Sequence, residues 1–201
     1  LIYSVRKIIK STIFRILRMI GMRLGSNEIE KVALGKILSE KNKIKKIEKI
    51  EDIEFKIFSQ FGDDGIIQYL VDKLNIGYEY HNFIEFGVED YSEANTKFLL
   101  LNNNWSGLIL DSSKSNIEKI KKRNFFWRFE LEAIECFITK ENINSIILQS
   151  NFNEKKIGIL SIDVDGNDYW IWREINIIEP LIVIIEFNST FGFNNKISIP
   201  Y

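Results

Sequence analysis

From residue 58 onward, short apolar runs alternate with longer segments in which apolar residues recur every third or fourth position. The runs over 82–86, 107–110, 125–134, 157–162 and 181–186 read as strands. Two of them, Ile157-Gly158-Ile159-Leu160-Ser161-Ile162 and Leu181-Ile182-Val183-Ile184-Ile185, are apolar enough for strands covered on both faces, as in a parallel sheet. Between the runs, helical spacing marks 66–74, where Ile66, Ile67, Tyr69, Leu70 and Leu74 form one face, and then 93–102, 115–123, 142–149 and 169–176. Five strands separated by helices predict an α/β domain over 57–201. Right-handed crossovers make it a doubly wound, Rossmann-like, mostly parallel sheet with helices on both faces.

The first 56 residues have a different texture. Residues 1–24 carry Arg6, Lys7, Lys10, Arg15, Arg18 and Arg23 with no acid, interleaved with Ile8, Ile9, Ile13, Phe14, Ile16, Leu17, Met19 and Ile20. This is a basic amphipathic helix, suited either to packing on a neighbouring domain or subunit or to lying on an anionic membrane surface. Residues 28–56 mix lysine, glutamate and sparse isoleucine, the pattern of a charged helical linker. No apolar run approaches the ~20 residues that a membrane span needs.

Composition narrows the chemistry. At 201 residues and a net charge of -1, the chain suits one ordinary domain and offers no electrostatic argument for nucleic acid. Cys136 and His81 are each the only residue of their type. Disulfide frameworks, cysteine-based metal sites and Ser-His-Asp catalysis are therefore disfavoured. Cys136, between Ile134 and Phe137, reads as core, while Trp105, Trp170 and Trp172 read as core or crevice wall.

The polar chemistry gathers at strand ends. The first strand ends Glu85-Phe86-Gly87-Val88-Glu89-Asp90, where Gly87 permits a tight turn and close approach of a ligand. No second glycine follows, and Glu85, Glu89 and Asp90 would repel a pyrophosphate, so NAD and ATP fit poorly. A cationic, phosphate-free cofactor such as S-adenosylmethionine suits the same turn. Asp111, ending the second strand, is placed either to accept ribose hydroxyls or to cap the following helix. The fourth strand runs into Asp163-Val164-Asp165-Gly166-Asn167-Asp168, with Asp168 suited to capping the next helix. Asp163 and Asp165 suit a general base or oxygen ligands for a divalent cation such as Mg²⁺, although turn chemistry alone also accounts for them. Glu186 and Asn188 end the fifth strand at the same edge.

With these residues placed, the sequence resembles class I S-adenosylmethionine-dependent methyltransferases, in particular the FkbM-type branch and its relatives from bacterial surface-glycan gene clusters. The resemblance spans roughly 58–201. It rests on Ser59-Gln60-Phe61-Gly62-Asp63-Asp64-Gly65, residues 83–96, Asn104-Trp105-Ser106-Gly107-Leu108, residues 160–172 and Ile185-Glu186-Phe187-Asn188. It implies that Glu85 and Gly87 belong to the first cofactor motif, that Asp111 holds the ribose, and that Asp163 and Asp165 border the methyl-transfer site. Gln60 and Asp64 would lie near the crevice on a pre-strand segment, and with Glu186 and Asn188 would contact the acceptor. Glu89 stands where the family has its second glycine. The family's last two strands have no counterpart before Tyr201, so this chain is expected to lack them.

These readings imply a bacterial O-methyltransferase, cytoplasmic or membrane-peripheral, acting on a sugar, a glycan precursor or another small-molecule acceptor. Two alternatives stay open. Asp163-Val164-Asp165 also fits a D-x-D metal site of a nucleotide-sugar glycosyltransferase, and the fold also fits a non-catalytic binding module docked through residues 1–24.

Overall fold

A computed structural model of the chain describes residues 28–192, 194–195 and 197–201. The basic segment 1–24 lies outside the described residues. Five strands form one parallel sheet: β1 (Asn82–Phe86), β2 (Ser106–Asp111), β3 (Leu131–Glu135), β4 (Ile159–Ile162) and β5 (Ile182–Ile185), in the spatial order β3-β2-β1-β4-β5. The helices are α1 (Glu28–Ile44), α2 (Asp63–Leu74), α3 (Lys97–Asn103), α4 (Lys114–Lys121), α5 (Asn124–Arg128), α6 (Ile143–Gln149) and α7 (Asp168–Glu174). This order reverses between β1 and β4, the topological switch point at which doubly wound sheets bind ligands.

Alternation along the strands builds two cores. On one face Phe83, Ile109 and Ile159 pack with Ile67 and Val71 of α2, Leu99 and Leu100 of α3, and Ile117 and Ile120 of α4. On the other, Ile84, Phe86, Leu108, Leu110, Leu160 and Ile162 pack with Ile143 and Ile147 of α6 and Ile171 of α7. Each of these buried side chains contributes ~1.5–3 kcal/mol of transfer free energy. Helices thus cover both faces, as the pattern predicts. β5 closes one edge more lightly. Ile182 and Ile184 pack on the first core, but Val183 and Ile185 are each 37% exposed on the other side.

Helix α1 is not an independent arm. Gly35 lets it approach α3 so closely that a Cβ there would lie 2.3 Å from Phe98 Cε2, and Val32 and Leu38 pack on the Phe55, Ile57, Phe58 and Phe98 cluster. Ile29, Leu34 and Ile37 of the same helix remain exposed.

Two expected elements change. The run over 125–134 is a short helix, α5, followed by β3, because Phe125, Phe126 and Phe129 reach the first core at helical spacing while Trp127 is 76% exposed. The helix expected over 93–102 begins only at Lys97. The N–H groups of Asn95 and Thr96 are taken by the Glu85 carboxylate, which holds residues 88–96 as a loop.

Candidate functional site

A crevice of about 740 Å³ opens over the carboxyl ends of β1, β2, β4 and β5. Its walls include Gln60, Glu85, Gly87, Glu89, Glu93, Asn95, Asp111, Asp163, Asp165 and Glu186. Among the described residues that line it, seven are acidic and none is basic, so the crevice presents a strongly negative field.

The β1 side of this crevice is built by acids that have turned toward the backbone. Glu85 is 4% exposed and accepts from Asn95 N at 2.8 Å, Thr96 N at 3.2 Å and Thr96 Oγ1 at 2.5 Å. Tyr91 Oη lies 2.9 Å from the same Thr96 Oγ1. Burial pushes the Glu85 carboxyl up to about 7 despite those hydrogen bonds, and the charge of Asp163 adds to the rise. Asp111 shares its two oxygens. Oδ2 accepts from Glu89 N at 2.8 Å, while Oδ1 accepts from Ser113 N at 2.8 Å and Asn116 Nδ2 at 3.2 Å. The cap of α4 is Ser113, whose Oγ accepts from Asn116 N at 3.3 Å; Asp111 holds that cap in place from outside the helix, and its Oδ2 keeps a lone pair for a ligand hydroxyl.

Gly87 has a different reason than expected. At φ +71° its hydrogen faces the chain at β4: a Cβ there would come within 1.6 Å of the Asp163 carbonyl oxygen. The close approach it permits is between the ends of β1 and β4. Glu89, Tyr91 and Asp165 also have positive φ, at 49°, 59° and 56°. The other two non-glycine residues of this kind among those described, Asn75 and Asn104, are helix C-caps of a type asparagine favours. Backbone strain that no cap explains therefore concentrates on the two crevice loops.

On the β4–β5 side the acids face open space. Asp168 is the exception. Instead of capping α7, it starts that helix and reaches back to Val164 N at 2.8 Å and Gly166 N at 2.9 Å, bracing the acidic turn. The turn then presents Asp163 and Asp165. With Glu186, their carboxylate oxygens lie within 4.8 Å of one another, close enough to share one divalent cation. Both Asp163 and Glu186 hold their protons more tightly than usual, first through desolvation and then through the neighbouring carboxylates.

The other expected residues divide. Gln60 lines the crevice. Asp64 does not: its Oδ2 accepts from Ile57 N, Phe58 N and Ser59 N at 2.7, 2.7 and 2.8 Å and from Ser59 Oγ, knitting the pre-strand loop from within. Asn188 caps the short 3-10 turn Ser189–Phe191 through Thr190 N at 3.0 Å and is absent from the crevice lining. Cys136, expected in the core, is half-buried on the crevice wall beside Phe137, and burial pushes its thiol pKa up. Trp105 is core at the opposite end of the sheet, 1% exposed and stacked on His81 at 4.9 Å. Trp170 and Trp172 lie on α7 outside the crevice lining. Glu93 and Asn95 are crevice residues that sequence reasoning absorbed into a helix. The Ser92-Glu93-Ala94-Asn95-Thr96 stretch, poor in large apolar residues, was the available signal for a loop.

No family model matches the chain, and no curated protein matches it. Among solved structures it is similar to a protein described as "a putative caffeoyl-CoA O-methyltransferase from Staphylococcus aureus", at 12% identity and a TM-score of 0.43 over 82% of this chain and 68% of that one. That similarity assigns no role to any residue here. No described helix is long and apolar enough to cross a membrane.

Proposed function

We propose that the chain is an S-adenosylmethionine-dependent methyltransferase that methylates a hydroxyl of a sugar or glycan precursor. The observation that supports it best is the acid-lined crevice at the switch point, with Asp111 at the end of β2 and Glu89 and Asp90, not a second glycine, after Gly87. An adenosine cofactor with a sulfonium centre and no phosphate matches that field. The donor set fits: Asp111 Oδ2 is free to accept one more hydrogen bond, and the exposed Gly87 backbone lies beside it on the same wall. The sugar acceptor rests on the family resemblance alone.

When bound, the cofactor supplies a methyl group already activated for transfer to a nucleophile. The protein's task is then mainly positioning. Asp163, with its raised proton affinity, is placed to take the proton of an acceptor hydroxyl as the oxygen attacks. Asp165 and Glu186 would orient that hydroxyl, directly or by completing a three-carboxylate cation site with Asp163. Gln60, across the opening, would contact the acceptor.

The convergence of Asp163, Asp165 and Glu186 also favours a second reading, a metal-dependent nucleotide-sugar transferase, because a bound cation would offset the repulsion of phosphate. Calorimetric titration separates the two. Micromolar binding of S-adenosylmethionine without metal, weakened at least tenfold by Asp111→Asn, is the expected result. Silence toward S-adenosylmethionine together with Mn²⁺-dependent binding of a nucleotide sugar would overturn the methyltransferase reading.

A further inference from the structure

Lys97 is a lysine where lysines are rarely found. It is 3% exposed and sits at the first position of α3, where the helix dipole already disfavours a cation. Its ammonium is enclosed by three rings from three segments, Phe58, Phe125 and Tyr91, with centroids at 4.8, 5.2 and 5.9 Å. Such faces attract a cation but do not replace a counterion. The counterion is Glu28 at the start of α1, at 2.9 Å. Burial lowers the proton affinity of Lys97, Glu28 opposes that, and the nearby positive charges of Arg123 and Lys31 lower it further.

Two of the three rings anchor the crevice. The Phe58 carbonyl accepts from Ala94 N at 3.0 Å, and Phe58 lies two residues before Gln60. Tyr91, fully buried and at positive φ, contacts Thr96, which donates to Glu85. Helix α1 buries only Gly35 and Ser39 fully along its 17 residues; Val32 and Leu38 are part-buried on the Phe58 and Phe98 cluster, and Ile29, Leu34 and Ile37 stay outside.

We propose that the Glu28–Lys97 pair couples the docking of α1 to the crevice wall formed by residues 88–96. With Glu28 seated, the ammonium stays in its cage and Tyr91 holds the wall. With Glu28 withdrawn, an uncompensated buried charge leaves the cage and the wall loosens. Lys97 is the buried member of the pair and Glu28 is only part-buried, so leaving the ammonium without its partner is far more disruptive than removing both, which gives the test its logic.

Hydrogen exchange on the ligand-free full chain reads the coupling whatever the crevice binds. In Glu28→Gln, the amides of Glu89, Asn95 and Thr96, bonded to Asp111 and Glu85, should exchange at least tenfold faster. Those of Ile109 and Leu110 in β2 should stay within threefold. In the double variant Glu28→Gln with Lys97→Met, the loop amides should return to within threefold of the parent. Lys97→Met alone, which leaves Glu28 free to turn to water, should keep them there too. Loop amides that do not respond to Glu28→Gln, or that change only in step with β2, would overturn the proposal. So would a double variant as loose as the single one.

Discussion

The two sides of the crevice carry the same kind of residue and use it in opposite ways. On the β1–β2 side, Glu85 and Asp111 spend their oxygens on backbone amides and are nearly buried. On the β4–β5 side, Asp163, Asp165 and Glu186 are exposed and crowd one another. An acid that satisfies amides is part of the scaffold, and its loss leaves orphan donors behind. Acids that repel each other across open space cost stability and are retained for what they can bind or deprotonate. The contrast separates the residues that shape the crevice from those available for its chemistry.

The seam between the sides is the place to break both at once. Gly87→Ala drives a methyl group into the Asp163 carbonyl and adds strain at φ +71°. It should destabilise the fold by ~4 kcal/mol or more, read by urea denaturation.

Next in size is the scaffold side alone. The buried Glu85 carboxyl is carried from 4.5 to about 7 in the fold. Its folded pKa exceeds its unfolded one, so from about pH 4.5 to 7 the folded state binds the extra proton. Stability must then fall as pH rises through that window, by about 3 kcal/mol, and level off above it. Glu85→Gln should flatten this part of the profile. A wild-type curve that is flat or rising between pH 5 and 7 would contradict the assignment.

The smallest effect is expected on the opposite side. Asp165→Asn removes one of three crowded charges at a left-handed position that asparagine tolerates. Stability should change by about 0.5 kcal/mol or less, while the proposed methyl transfer to a hydroxyl acceptor should fall at least tenfold. A large loss of stability would place Asp165 with the scaffold acids and blur the comparison.

Much of this was legible in the chain. The apolar runs at 82–86 and 157–162 announce strands because both faces of the sheet are covered there, the run at 181–186 does so although β5 is covered on one face only, and acids just past such runs fall at one edge by topology alone. Gln60 and Glu186 reach that edge as their positions suggested. What stayed hidden was the direction of individual side chains. Asp64 and Asn188 look as eligible as Gln60 and Glu186, yet their partners are local amides, and nothing in residue type tells a satisfied carboxylate from a free one. The aromatic run at 125–129 misleads for a related reason. Its strand propensity is overridden because Phe125, Phe126 and Phe129 meet the core from one side of a helical turn and leave Trp127 outside.

The position of β5 has a consequence for how the molecule comes into being. β1 acquires its neighbour β4, and the crevice acquires Glu186, only after β2, β3 and the helices between them have been made. A nascent chain that has made β1, β2 and β3 owns the scaffold acids but not the exposed, crowded ones, and it exposes the open edge of β1. Pairings so distant in sequence are slow to form, and such an edge invites pairing with other chains in the interval. The complete cluster of exposed acids and the cover over the β1 edge would therefore arrive together, once β4 and β5 have been made.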